Sequence, residues 1–229
     1  ACLISAAGPN LVPETVDSVT SRKGGGVNVS TSSGTREFDA VVVATGAAIA
    51  GLANTAGLEI PIDNRVQVRL TAPLREPNAD APLACLQDSS RVFGRAAGFG
   101  SPVRGNREYA VGLYATAAVD PDEGGAAQIE RLTSRPREYI AKAMPGLDPS
   151  SVKPFQRWIT EVPWSPEGLA IWQSDNTYFV AGRSLFKYAP ELGRVLAESV
   201  STGRVPEGFR PEDRLGDPSV GAAEGPLPG

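Results

Sequence analysis

The 229-residue sequence contains no histidine. That excludes the Ser-His-Asp and Cys-His nucleophile systems, most catalytic zinc sites and the commonest general base near neutral pH. Chemistry in this chain therefore falls to Lys, Arg, Tyr, Asp, Glu or Thr, or to a bound cofactor. Cysteine is nearly absent. Cys2 and Cys85 form neither a metal spacing nor a disulfide framework, so no metal site is expected and a reducing, cytoplasmic setting is. No apolar run approaches the roughly 20 residues of a membrane-spanning helix, and the start lacks the pattern of a signal peptide. Basic runs are missing too. Lys and Arg number 22 against 26 Asp and Glu, for a net charge of −4, which leaves no basic face for nucleic acid.

Proline (20) and glycine (25) are both plentiful and punctuate the chain into short elements with apolar strands between them. The opening Ala1-Cys2-Leu3-Ile4 has no initiating methionine and reads as the tail of a helix or strand, which fits a processed or truncated start. Residues 11–20 alternate as a half-buried strand, and Lys23-Gly24-Gly25-Gly26 turns them into a second alternating run, Val27–Thr31, which predicts a hairpin. After a polar turn at Ser33-Gly34-Thr35 comes a β-branched run from Phe38 to Gly46. It suits a strand buried on both faces in a parallel sheet. A short helix over 49–56 follows, ending at Gly57.

From about 60 to 118 the pattern is that of an antiparallel sheet. Arg65-Val66-Gln67-Val68-Arg69-Leu70 alternates, and Ser90–Gly94 and Tyr109–Tyr114 are further strands. Residues 124–143 form an amphipathic helix with an interruption expected near Pro136. Strands are expected at 152–162, 168–173 and 178–182, then a helix over 189–202 stopped by Gly203. Residues 204–229, rich in Pro, Gly and acid, read as a loosely ordered tail.

Three local patterns carry chemistry. Ala44-Thr45-Gly46-Ala47 places small residues at the C-terminal end of a parallel strand, where ligands of open α/β sheets sit. Gly98–Gly105 lacks the G-x-G-x-x-G spacing and has Pro102 where a helix should start, so it reads as a turn between strands. Phe186-Lys187-Tyr188-Ala189-Pro190 joins a strand to a helix. Its lysine is either a solvated loop residue or an anion contact reinforced by the helix N-terminus. Trp158, Trp164 and Trp172 lie in one stretch and serve either as core or as a pocket wall.

Taken in order, these segments resemble the D-amino-acid oxidase and sarcosine oxidase family of flavoproteins. The resemblance runs through Asp39–Ala47, Gly57–Pro61, Met144–Pro149, Ser165–Gly168, Tyr178–Gly182 and Phe186–Gly193, and covers nearly all of residues 9–203. It implies an α/β (α+β) fold: a remnant of an FAD-binding Rossmann-like sheet plus an antiparallel β-sheet substrate domain with helices. Residues 1–58 and 177–203 would belong to the FAD-binding part and 59–176 to the substrate-binding part. It also implies FAD as cofactor and oxidation of an amine or amino acid C–N bond by hydride transfer. Thr45, Gly46, Ala47, Gly182 and Phe186 would then contact the cofactor, and Lys187, Arg183 and Tyr114 the substrate. No catalytic residue is assigned.

The sequence also departs from that family. The strand, glycine-rich loop and helix that hold the FAD pyrophosphate are not in it. Ala110, Tyr114 and Thr160 stand where relatives carry a lysine, a histidine and a flavin-tethering cysteine, and only Lys187 matches as an identity. Two readings follow. In one, the missing nucleotide-binding part of an oxidoreductase is supplied by another polypeptide or has been removed, and the exposed strand is expected to be covered by a nucleotide-binding partner chain or, failing that, in a homodimer. In the other, the chain is a flavin-free descendant acting as a cyclase, isomerase or ligand-binding protein.

Overall fold

The computed structural model describes residues 8–76, 84–88, 98–103, 107–113, 116–118 and 126–219. Contacts divide the chain into two compact units, Ala1–Ile62 with Glu161–Gly229, and Asp63–Thr160.

In the first unit the expected antiparallel hairpin forms from β1 (Val16–Ser21) and β2 (Val27–Thr31), but residues 11–15 lie outside the strand, with Leu11 and Val12 exposed. Gly24, Gly25 and Gly26 take successive positive φ angles of 94°, 103° and 87° at the turn, which L-residues with side chains resist. The next turn is tighter than the sequence suggests. Gly34 and Thr35 already belong to β3 (Gly34–Phe38), an exposed strand paired to β2.

The β-branched run forms β4 (Val41–Val43), leading into helix α1 (Ile49–Thr55). β4 pairs in parallel with β12 (Thr177–Gly182), which pairs antiparallel with β11 (Leu169–Ser174). Residues on β12 alternate between two cores. Phe179 and Ala181 pack with Val19, Val27, Ile49 and Ala53, whereas Tyr178 and Val180 pack against Leu192 and Val195 of α3 (Ala189–Thr202). The expectation that the β4 run is buried on both faces fails at Val42, which is 41% exposed. β4 is the outer strand of this three-stranded sheet, so among the described residues its cover is incomplete. Gly203, at φ 74°, ends α3 in the left-handed conformation that glycine favours.

The expectation of a loosely ordered tail is also overturned for its described part. Val205 is 4% exposed, and Phe209 packs against the α3 core. The Ile171 N–H donates to the Phe209 carbonyl at 2.7 Å and the Leu169 N–H to that of Leu215 at 3.3 Å. The tail thus satisfies the outer edge of β11, which would otherwise present bare donors.

The second unit is built on β5 (Asp63–Pro73), β6 (Leu86–Asp88), β7 (Gly98–Val103), β8 (Glu108–Leu113), β9 (Ala117–Ala118) and β10 (Lys153–Glu161), in the order β10-β5-β8-β7-β6 with β9 on β5. One face packs Val68, Leu70, Tyr109 and Val111 against Tyr139 and Ile140 of α2 (Ala126–Ala143). By strand alternation the other carries Arg65, Gln67, Arg69 and Thr71 of β5. The expected interruption at Pro136 is absent, because α2 runs through it. Pro136 is buried on the stripe that holds Thr133, Tyr139 and Ile140, so packing outweighs the missing N–H.

Gly98–Val103 is a strand and not the turn the sequence suggested. A Cβ on Gly100 would lie 2.5 Å from the Tyr109 ring and one on Gly98 3.1 Å from that of Tyr139, so these glycines make room for aromatic rings over the strand. The strand expected at Ser90–Gly94 lies outside the described residues.

Candidate functional site

β4 and β12 run parallel, so both lead out at the same end of their sheet. After β4 the chain passes through Ala44 and Thr45 to Gly46, whose φ is 59°. A side chain there would meet nothing within 4 Å. The glycine is therefore demanded by backbone conformation and leaves open ground above it. The Thr45 carbonyl accepts from the Ala48 N–H at 3.4 Å, closing a single turn (Gly46–Ala48) that runs on into α1. Thr45 and Gly46 are exposed and Ala47 half-buried.

At the same end β12 stops at Gly182, φ 149°, where a Cβ would sit 2.5 Å from both the Gly168 carbonyl and Leu169 Cβ. Arg183 follows, then Ser184 in the left-handed region at φ 59°, then the single turn Leu185–Tyr188 that leads into α3. The Lys187 N–H donates to the Ser184 carbonyl at 2.9 Å. The structure thus brings Thr45–Ala47 and Gly182–Lys187 to one end of one sheet.

The two cations of this segment stand differently. Arg183 is pinned: Nη1 lies 3.2 Å from Glu161 and Nε 3.5 Å from Glu167. Its charge is already answered by two carboxylates that sequence reading did not connect to it. Lys187 is exposed, and its ammonium has no hydrogen bond or ion pair among the described residues. Its neighbours Phe186 and Tyr188 are 86% and 46% exposed. One turn further along α3, Glu191 is held below the usual carboxylate range by its bonds to Arg194. Tyr114 lies outside the described residues. Of the three tryptophans, Trp164 and Trp172 meet at 6.1 Å in the first unit's core, while Trp158 lies on β10.

Chemically, two turns with exposed backbone, an exposed aromatic ring and one uncommitted ammonium suit a flat ligand carrying an anionic group. Three of the backbone donors are already spent, on Thr45, Gly168 and Ser184 carbonyls. These turns therefore fit the ring end of a dinucleotide better than its diphosphate.

A family model described as FAD dependent oxidoreductase matches residues 3–199. The chain belongs to that family. FAD is accordingly the cofactor of the group to which this FAD-dependent oxidoreductase chain is assigned. No curated protein matches it. Among solved structures, it is similar to NikD, an unusual amino acid oxidase essential for nikkomycin biosynthesis, at 20% identity and a TM-score of 0.69, covering 93% of this chain and 57% of that one. It is also similar to L-proline dehydrogenase from P. horikoshii (18%, TM-score 0.60, covering 88% of this chain and 54% of that one). A third likeness is to glycine oxidase from Geobacillus kaustophilus (17%, TM-score 0.57, covering 88% and 51%). At these identities the likeness is one of fold. The flavoprotein-family chain spans little more than half the length of each. No described helix is long and apolar enough to cross a membrane.

Proposed function

We propose that this chain is the C-terminal, substrate-facing portion of an enzyme that oxidises a C–N bond of an amine or amino acid. The observation that carries the reading is the convergence of the Thr45–Ala47 and Gly182–Lys187 turns at one end of a parallel strand pair, in a chain of an FAD-dependent family. When bound, FAD supplies the acceptor for the hydride that leaves the carbon next to nitrogen, with oxygen as the final acceptor.

The chain's own residues have distinct parts in this proposal. The backbone of the exposed Thr45 and Gly46 and the half-buried Ala47, with the buried Gly182 behind the turn and the exposed Phe186 ring, borders the flavin ring. Lys187 holds the carboxylate of the substrate and Tyr114 is the second substrate contact. Arg183 acts through Glu161 and Glu167, holding the turn that presents Lys187. The FAD diphosphate is held elsewhere, by a strand–glycine loop–helix segment of a partner chain or of the same polypeptide, because such binding draws on free N–H groups at a helix N-terminus.

Absorption spectroscopy tests this. Purified alone and dialysed, the 229-residue chain loses FAD; together with a segment of that kind it stays yellow, and an amine or amino acid bleaches it without oxygen. Flavin held tightly by the chain alone would overturn the division of labour. A flavin that no amine or amino acid reduces would overturn the reaction.

A further inference from the structure

The face of the second unit's sheet opposite α2 holds two arginines with no acidic partner among the described residues. Arg69, midway along β5, is half-buried, with its guanidinium carbon 5.0 Å from the centre of the Phe99 ring. Its Nη2 donates to Ser101 Oγ at 3.2 Å, while its Nε is buried and has no hydrogen-bond partner among the described residues. The neighbouring strand, β10, carries Arg157, whose charge and the burial of Arg69 both act against the Arg69 cation, burial the more strongly.

We propose that this face is an anion-binding site centred on Arg69, with Arg157 as its second cation, and that its ligand is a small carboxylate. A half-buried cation beside a like charge is held at a cost until a negative group enters. Among the described residues neither arginine has an acidic partner within ion-pair distance. Glu108, the acid on the same face, is 3.7 Å from Lys153. A solvated surface arginine would have neither a buried Nε nor a fixed ring beneath it. Here the place is built: a Cβ on Gly112 would lie 2.6 Å from the Phe99 ring and 3.1 Å from Arg69 Cγ, so the strand leaves out a side chain where ring and stem lie against it. Further along the same row of β5, the Gln67 amide, 3% exposed, donates to the Leu113 carbonyl, and Arg65 Nε donates to Thr116. Those polar heads are satisfied; Arg69 is the one left with an unmet donor. A carboxylate matches the planar fork of a guanidinium with two parallel bonds.

The inference goes beyond the proposed function and does not rest on it: it concerns a carboxylate bound on the second unit's own sheet, apart from the substrate contact given to Lys187. The anion site is tested without flavin or turnover. In the full chain labelled with nitrogen-15, acetate titrated at constant ionic strength should move the arginine Nε–H signal of Arg69 saturably. Arg69→Met should weaken acetate binding by at least about tenfold. Arg69→Lys should restore part of it, and Arg157→Met should also weaken it severalfold. A shift that grows linearly with acetate without saturating, or acetate affinity unchanged by Arg69→Met, overturns the site. Tighter binding of inorganic phosphate than of acetate overturns the carboxylate assignment. Should Arg69→Met fail to fold, the exposed Arg157 decides, because unchanged affinity in Arg157→Met removes the two-cation site.

Discussion

Lys187 and Arg183 are separated by one turn of chain and by opposite electrostatic circumstances. Arg183 is answered by Glu161 and Glu167, so its loss would loosen the turn. Lys187 is exposed, and among the described residues its ammonium makes no hydrogen bond or ion pair. The Lys187→Met variant should therefore keep the melting temperature of the parent. In the flavin-loaded protein it should weaken a carboxylate substrate by about 10- to 150-fold, as for a charge-assisted contact of about 1.5–3 kcal/mol. Lys187→Arg should recover only part, because a planar guanidinium does not replace a compact ammonium. Titration with substrate, read beside thermal unfolding, checks both. Equal affinity in parent and Lys187→Met would end the role given to this residue. The lysine itself was legible as part of the Phe-Lys-Tyr-Ala-Pro segment. The pinning of Arg183 was not, since its partners are brought in by β10 and the turn after it.

At the scale of elements, the described part of the C-terminal tail behaves as an edge cover. Asp213 closes it: one carboxylate oxygen accepts from the Gly208 N–H at 2.8 Å and from the Arg210 N–H at 2.9 Å. Asp213→Ala should open this turn and cost about 1–3 kcal/mol, the usual price of charge-assisted bonds to part-buried backbone. Hydrogen exchange at the Leu169 and Ile171 amides should quicken, because their acceptors are the tail carbonyls of Leu215 and Phe209. Unchanged protection at both amides would show that the tail is not what shields β11. Composition misled here. Pro, Gly and acid predict irregular backbone, and irregular backbone can still pack and accept hydrogen bonds. Pro136 misled in the same way, as local propensity gave way to burial on the α2 stripe.

For the molecule as a whole, β4 leaves one backbone edge without a partner strand among the described residues, beside the 41%-exposed Val42. Edges and apolar surface of this kind drive association. We expect the chain to be recovered with a nucleotide-binding partner, or failing that as a homodimer through this edge. Light scattering coupled to size exclusion at micromolar concentration measures this. A monodisperse monomer with nothing copurifying would refute both forms.

The sequence by itself determined most elements and the family. Alternation of apolar and polar residues marked the β1–β2 hairpin and β5, the run of valines marked a parallel strand, and spacing on one face with Gly203 at the stop marked α3. These signals are local, set by side-chain period and by backbone freedom at single positions. Tertiary structure alone decided what each residue meets. Gly98–Val103 became a strand because rings from β8 and α2 lie over its glycines. Arg183 was neutralised by acids 16 and 22 residues away in sequence. Arg69, visible in the sequence only as one polar position of an alternating strand, meets Phe99 and Ser101 of β7 across Gly112 of β8, with β10 and its Arg157 on the other side. Charge balance and steric room are sums over neighbours, and neighbours are chosen by the fold.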